Sequence, residues 1–201
     1  MLWLDKMPLV LASRSKARAA LLLAAGVAVE VHPADIDERG VEARAGVIKP
    51  AAAAALLARE KAKAVARLKS GRVTLGADQT LALDADCLTK PADRAAARAQ
   101  LLALRGRTHE LHSAIAFVQD DEVLFEHVAT ARLAMRGFSD RFLDLYLDAA
   151  SASVTESVGG YQIESLGVQL FERIEGDYFT VLGIPLLEAL DFLRRRGSLA
   201  A

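Results

Sequence analysis

Three short stretches of the chain carry residue types suited to chemistry on phosphate. The first is Ser13-Arg14-Ser15-Lys16-Ala17-Arg18. It follows an apolar run, Pro8–Ala12, and opens a helical pattern with Ala17, Leu21 and Ala24 on one face. Free N–H groups at a helix N-terminus point outward and carry partial positive charge. Hydroxyls and cations gathered there make a phosphate cradle. The plainer reading of the same residues is capping by serine, with solvated basic neighbours. A P-loop is excluded, because GxxxxGK[ST] is absent.

The second stretch is Gly76-Ala77-Asp78-Gln79-Thr80, inside the apolar run Val73–Leu83. A carboxylate there is costly to bury unpaired. It needs a metal, a cation or hydrogen bonds. Asp78 therefore reads either as a functional carboxylate or as a satisfied turn aspartate. Gln79 and Thr80 stand beside it to help hold a metal or substrate. The third stretch is Asp35-Ile36-Asp37-Glu38. Such an acidic cluster suits a hard cation such as Mg²⁺, although a solvated acidic loop is the commoner meaning. Its D-x-D spacing is shared with haloacid-dehalogenase phosphatases. Those need a hydrophobic strand before the motif, and here Pro33 precedes it while Glu38-Arg39 follows.

Two lysines, Lys61 and Lys90, have a similar double reading. Each neutralises a phosphate or is an ordinary surface lysine. The histidines suggest no metal centre. His109 and His112 are three apart in an expected strand and face opposite sides, while His32 and His127 stand alone. A single cysteine, Cys87, excludes zinc spacings and has no histidine beside it. Ser113 and Ser139 lie in no nucleophile-elbow pattern. The inventory offers cations and carboxylates rather than covalent machinery.

These residues need a scaffold. The run Pro8–Ala12 predicts a buried strand, and Gly26 ends the helix that follows it. Val27, Val29 and Val31 alternate as a second strand. Pro33–Val47 reads as a polar loop. Pro50 opens a helix through Leu68. Val73–Leu83 reads as a strand, and Asp93 caps a helix with Ala97, Leu101 and Leu104 inward. His109–Val118 and Glu122–Met135 predict a hairpin about Asp120-Asp121. Ser139 caps a helix through Tyr146. Tyr161–Ile163 suggests a short strand, Leu166–Arg173 a short helix, and Pro185–Arg195 a closing helix. The order predicts an α/β fold: a mixed central β-sheet flanked by helices.

Composition bounds the rest. With 201 residues, 53% hydrophobic and 25% charged, the chain is too apolar for intrinsic disorder. No Gly/Ser/Pro linker divides it, so a single domain over residues 1–201, with two lobes around one cleft, is expected. Lysine plus arginine (25) nearly cancels aspartate plus glutamate (26). That balance argues against a nucleic-acid polymer or a membrane surface as partner. The apolar run Ala19–Val29 is broken by Gly26 and far short of the ~20 residues that span a bilayer. No signal-peptide pattern is read at the N-terminus. One cysteine suits a reducing compartment, so a cytoplasmic location is expected.

Taken in order, the motifs resemble one family, the Maf proteins: nucleotide pyrophosphatases related in fold to inosine-triphosphate pyrophosphatases. The resemblance runs from about Pro8 to Arg195. Ser13-x-Ser15-x-x-Arg18 looks like the family's S-x-S-P-R-R. Leu57-Ala58-x-x-Lys61-Ala62 looks like L-A-x-x-K-A, and Gly76-Ala77-Asp78-Gln79 like G-[AS]-D-[TQ]. Lys90-Pro91 and Gly106-x-Thr108-His109 resemble G-K-P and G-x-x-H. Gly159-Gly160-Tyr161-Gln162-Ile163-Glu164 and Gly183-Ile184-Pro185-Leu186 also correspond. Lys16-Ala17 departs from Pro-Arg, Thr89 from the Gly before Lys-Pro, and Ser165 from a usual Gly.

The resemblance implies hydrolysis of a nucleoside triphosphate between its α- and β-phosphates. Asp78 would activate water as base or metal-bound group, and Glu38 would share a divalent cation (Mg²⁺, Mn²⁺ or Co²⁺). Lys61 and Lys90 join them as catalytic residues. Ser13, Ser15, Arg18, Gln79, Thr80 and Glu164 would bind substrate. Arg14, Lys16, Arg18, Lys61 and Lys90 would converge on the triphosphate. Gln79, Glu164 and the Leu170–Gly176 segment resemble the branch acting on 7-methyl-GTP, so methylated or other non-standard purines are the expected class. A carboxylate such as Glu164 accepts from a guanine N–H edge. A homodimer is implied by the family alone. Two other functions stay open on the sequence: a non-catalytic nucleotide-binding regulator of septum formation, and a phosphomonoesterase using Asp35–Glu38.

Overall fold

Alternation along the strands divides the apolar residues between two layers of helix. In the computed structural model, which describes residues 2–201, β1 (Leu9–Ala12) is buried at every position. It pairs in parallel with β2 (Val29–Val31) on one side and β3 (Val73–Leu83) on the other. Neighbouring residues of a strand point to opposite faces. Leu9 and Leu11 of β1, Leu75 and Ala77 of β3, and Ile115 and Phe117 therefore pack together. They bury Leu22 of α1 (Lys16–Ala24) and Leu186, Ala189 and Leu193 of α7 (Leu186–Arg195).

The opposite face meets α3 (Pro50–Ala66). Ala54, Ala58, Ala62 and Ala66 recur every four residues, so they form one stripe of that helix. They pack on Ala114, Ala116 and Val118 of β5 (Thr108–Gln119), while Val65 meets Val10 and Ala12. Small side chains on both surfaces let helix and sheet approach closely.

The sheet has the order β2-β1-β3-β5-β6-β7, with β6 (Glu122–Met135) and β7 (Phe171–Glu175) antiparallel and β4 (Asp86–Leu88) paired to β3. The chain divides into two units. The first holds the chain up to Gln79, Ser113–Ala129 and Tyr178–Ala201; the second holds Thr80–His112 and Thr130–Asp177.

Within the second unit, α4 (Arg94–Leu104) is capped by Asp93, whose carboxylate accepts from the Ala96 N–H at 2.8 Å. α5 (Asp140–Ala150) is capped by Ser139. Ala97, Leu101 and Leu104 are buried, as expected from their spacing. Gly159 has φ of 82°, and a Cβ there would lie 2.6 Å from the Tyr161 ring. Tyr161 Oη meets His109 Nε2 at 2.6 Å, and Tyr146 Oη donates to the Gly160 carbonyl at 3.1 Å.

The structure corrects several elements. Pro33–Val47 is not all loop: α2 spans Glu38–Ala45. It buries no residue, so no apolar period marks it; Asp37 caps it by accepting from Gly40 N–H at 3.0 Å. Tyr161–Ile163 is not a strand. Leu166–Arg173 is not one helix but a 3₁₀ turn, Leu166–Leu170, leading into β7. That strand exists through its pairing with β6, a partner distant in sequence. The helix from Pro50 ends at Ala66, and the helix after Ser139 continues to Ala150. Among the described residues, no helix is long and apolar enough to cross a membrane.

Candidate active site

Period-two alternation places Gly76 and Asp78 on the same face of β3, the face that meets α3. Gly76 makes the contact close. A Cβ there would overlap the Ala58 carbonyl oxygen and lie 2.7 Å from the Ala62 nitrogen. Lys61 sits between those two helical positions. Its Nζ donates to Asp78 Oδ1 at 2.6 Å and lies 2.9 Å from Glu38 Oε1. The Lys61 ammonium thus bridges a buried carboxylate on β3 and an exposed one at the start of α2. Asp78 is only 7% exposed. Burial pushes its pKa up; the charges of Lys61 and Arg18 pull the other way without cancelling that effect, and Glu38 adds to it.

The parallel register of β1 and β3 sets Ala12 opposite Gly76, so Ser13 follows at the level of Ala77. Ser15 is the N-cap of α1 and accepts from the Arg18 N–H at 3.3 Å. Ser13 Oγ accepts from the Ser15 N–H at 3.3 Å and from Arg18 Nη1 at 3.0 Å. Arg18 also donates from Nη1 to the Ala77 carbonyl at 2.8 Å and from Nε to the Gly183 carbonyl at 2.7 Å. Its fork is therefore committed largely to the protein itself. Burial lowers its pKa, opposed by Asp78 and Glu38.

The first unit thus brings together Ser13, Ser15, Arg18, Glu38, Lys61 and Asp78. Arg14 and Lys16 are exposed at the same helix start. Gln79 points away from Lys61: its amide nitrogen donates to Ser113 Oγ and to the Thr180 and Val181 carbonyls. Thr80, Lys90 and Glu164 belong to the second unit. There Thr80 is buried on β3, Lys90 is exposed after β4, and Glu164 is exposed in the turn after Tyr161. Sequence reading missed Ser113 and Gly183 as part of the support. Their contacts join segments far apart in the chain, which no local spacing reveals.

Among the described residues, no group of three or more His, Cys, Asp and Glu side chains forms a metal cluster. The pair Glu38 and Asp78 still fits a hard divalent cation. Both are carboxylates, and the ammonium between them shows that they already hold positive charge in common. Mg²⁺ commonly takes one or two carboxylates and completes its shell with water and substrate phosphates.

A family model described as Maf-like protein matches residues 8–196. The chain belongs to the Maf-like family. A curated relative from Rhodopseudomonas palustris (strain HaA2) is 54% identical over 99% of this Maf-like chain and 98% of its own length. One from Bradyrhizobium diazoefficiens is 53% identical over the same shares. Both are named nucleoside triphosphate pyrophosphatase. A solved HAM1 protein from Coxiella burnetii is 20% identical with a TM-score of 0.43, covering 64% of this Maf-like chain and 73% of its own.

Proposed function

We propose that this Maf-like chain is a nucleoside triphosphate pyrophosphatase, cleaving between the α- and β-phosphates to give a monophosphate and pyrophosphate. The observation that carries the reading is the Lys61 bridge between Asp78 and Glu38, next to a helix start rich in hydroxyls and cations. Relatives about half identical over nearly the whole chain, and named for this activity, support it.

Ionised Asp78 orients a water molecule and accepts its proton as the water attacks phosphorus. Burial favours proton uptake, so Asp78 is a better base than an exposed carboxylate. Lys61 holds Asp78 in place and sets positive charge beside the developing negative charge. The N-terminus of α1, with Ser13 and Ser15, receives phosphate oxygens. Glu38 and Asp78 would hold a divalent cation, which supplies charge neutralisation on the phosphates when bound. Lys90 keeps the catalytic role, and Thr80 and Glu164 the substrate-binding roles, that the family resemblance gives them. Methylated or other non-standard purine triphosphates are the proposed class.

Pyrophosphate release from a panel of nucleotides with Mg²⁺ or Mn²⁺ tests the reading. Release from at least one nucleotide is expected. Absence of turnover with every nucleotide, with binding intact, would leave a non-catalytic binder instead.

A further inference from the structure

The ammonium of Lys61 meets two carboxylates, Asp78 Oδ1 at 2.6 Å and Glu38 Oε1 at 2.9 Å. An ammonium has three N–H donors, so two are engaged and a third is left for another acceptor. The lysine side chain is largely buried, while Glu38 is half exposed at the start of α2. Arg18 supplies a second positive charge that both carboxylates feel. The two carboxylates are thus balanced by two cations of the chain itself.

These two cations differ in how firmly they are held. Arg18 donates to Ser13 Oγ, to the Ala77 carbonyl and to the Gly183 carbonyl just past the short helix α6 (Tyr178–Val181). Those bonds fix its guanidinium. Lys61 instead carries a point charge on a flexible four-carbon stem. Its ammonium can turn toward a phosphate while α3, packed through Ala58 and Ala62, stays in place. A divalent cation added to the balanced set brings uncompensated charge close to Lys61 and Arg18, where repulsion is weakly screened. A triphosphate arriving with that cation supplies the missing negative charge.

We propose that Lys61 is the internal counter-cation of Asp78 and Glu38: it opposes a divalent cation at that pair until phosphate draws the ammonium away, so that cation and triphosphate bind cooperatively. This rests on the reading of Glu38 and Asp78 as the cation's ligands. By linkage, each of the two ligands strengthens the other by the same factor. Until they arrive, Lys61 keeps a buried carboxylate from standing unpaired.

The test measures Mn²⁺ bound by the full chain, by electron paramagnetic resonance at about pH 8, above the ordinary carboxylate range. Wild type, Lys61→Gln, the double variant Lys61→Gln with Asp78→Asn, and Lys63→Met are first compared with Mn²⁺ alone. Glutamine keeps a donor near Asp78 and removes the charge. Lys61→Gln should bind Mn²⁺ about tenfold more tightly than wild type. Adding Asp78→Asn should cancel that gain. Lys63 lies two residues along α3, on another face of the helix, and controls for lost charge in general. Lys63→Met should stay within about twofold of wild type, since exposed charges are screened. Pyrophosphate is then added, with correction for the complex it forms with Mn²⁺ without protein. It should raise the Mn²⁺ affinity of wild type by about fivefold more than that of Lys61→Gln.

Equal Mn²⁺ affinity in wild type and Lys61→Gln would overturn the proposal. So would an equal gain in Lys63→Met, a gain that survives Asp78→Asn, or an equal effect of pyrophosphate on wild type and Lys61→Gln. If Lys61→Gln does not fold alone, refolding with Mn²⁺ decides: recovery supports the exchange of one cation for another, and no recovery overturns it. If the wild type turns over no nucleotide, the pyrophosphatase reading fails by itself. The Mn²⁺ comparison still decides the role of Lys61, because it requires no turnover.

Discussion

Lys61 Nζ lies 2.6 Å from Asp78 Oδ1, although the two residues are 17 positions apart and on different elements. The ion pair joins helix α3 to strand β3 on the face where alanine and glycine allow close approach. Asp78→Asn keeps the shape of the side chain and removes its basicity. Turnover should fall by about 100-fold or more, the scale of general-base catalysis. Nucleotide binding, followed by calorimetry, should stay within a few-fold of wild type. An active Asp78→Asn enzyme would remove Asp78 from the role of base.

Gly76 holds that geometry from behind. Gly76→Ala would drive a Cβ into the Ala58 carbonyl and the Ala62 backbone of α3. Helix and strand must separate, which moves Lys61 from Asp78. Stability should drop by about 2 kcal/mol or more, as overpacked interiors do. Urea unfolding reads the first effect, and activity under folding conditions the second. Unchanged stability would show that α3 yields without cost.

Arg18 was expected to face phosphate, yet its guanidinium meets Ser13 Oγ, the Ala77 carbonyl and the Gly183 carbonyl. Arg18→Lys retains the charge and loses the planar fork. It should destabilise the chain by about 2 kcal/mol through unpaired buried carbonyls. It should also weaken pyrophosphate binding. A variant with wild-type stability and weakened binding alone would place Arg18 on the substrate rather than in the scaffold.

The parts of this arrangement differ in how far the sequence discloses them. Alternation along Val73–Leu83 and the four-residue alanine spacing from Ala54 to Ala66 are local periodicities, so β3 and α3 could be read directly. A carboxylate inside an apolar strand announces a partner, and Lys61 is that partner. Helix α2 was hidden because a solvated helix has no apolar period, and β7 because its stability lies in pairing with β6. The partners of Arg18 and Gln79 were hidden for a further reason. Gly183 is 165 residues from Arg18, and Thr180 is 101 from Gln79. Backbone carbonyls have no residue signature, so only the fold shows which ones the side chains reach.

His109 supplies a pH dependence of stability. It is almost wholly buried, and burial pushes its pKa down from 6.5 to about 4. Between those values the unfolded chain binds a proton at this position and the folded chain does not. Stability from this group is therefore complete above pH 6.5 and declines as pH falls toward about 4. The full decline amounts to about 3 kcal/mol at most. His109→Gln should flatten the plot of unfolding free energy against pH in that window. An unchanged slope would assign the acid sensitivity to other groups.

The most direct measurement is the identity of the products from the preferred nucleoside triphosphate, followed by phosphorus NMR in the presence of Mg²⁺. Nucleoside monophosphate and pyrophosphate in equal amounts are expected, with no orthophosphate at early times. Nucleoside diphosphate with orthophosphate would contradict cleavage between the α- and β-phosphates, and with it the proposed work of Asp78, Lys61 and Glu38.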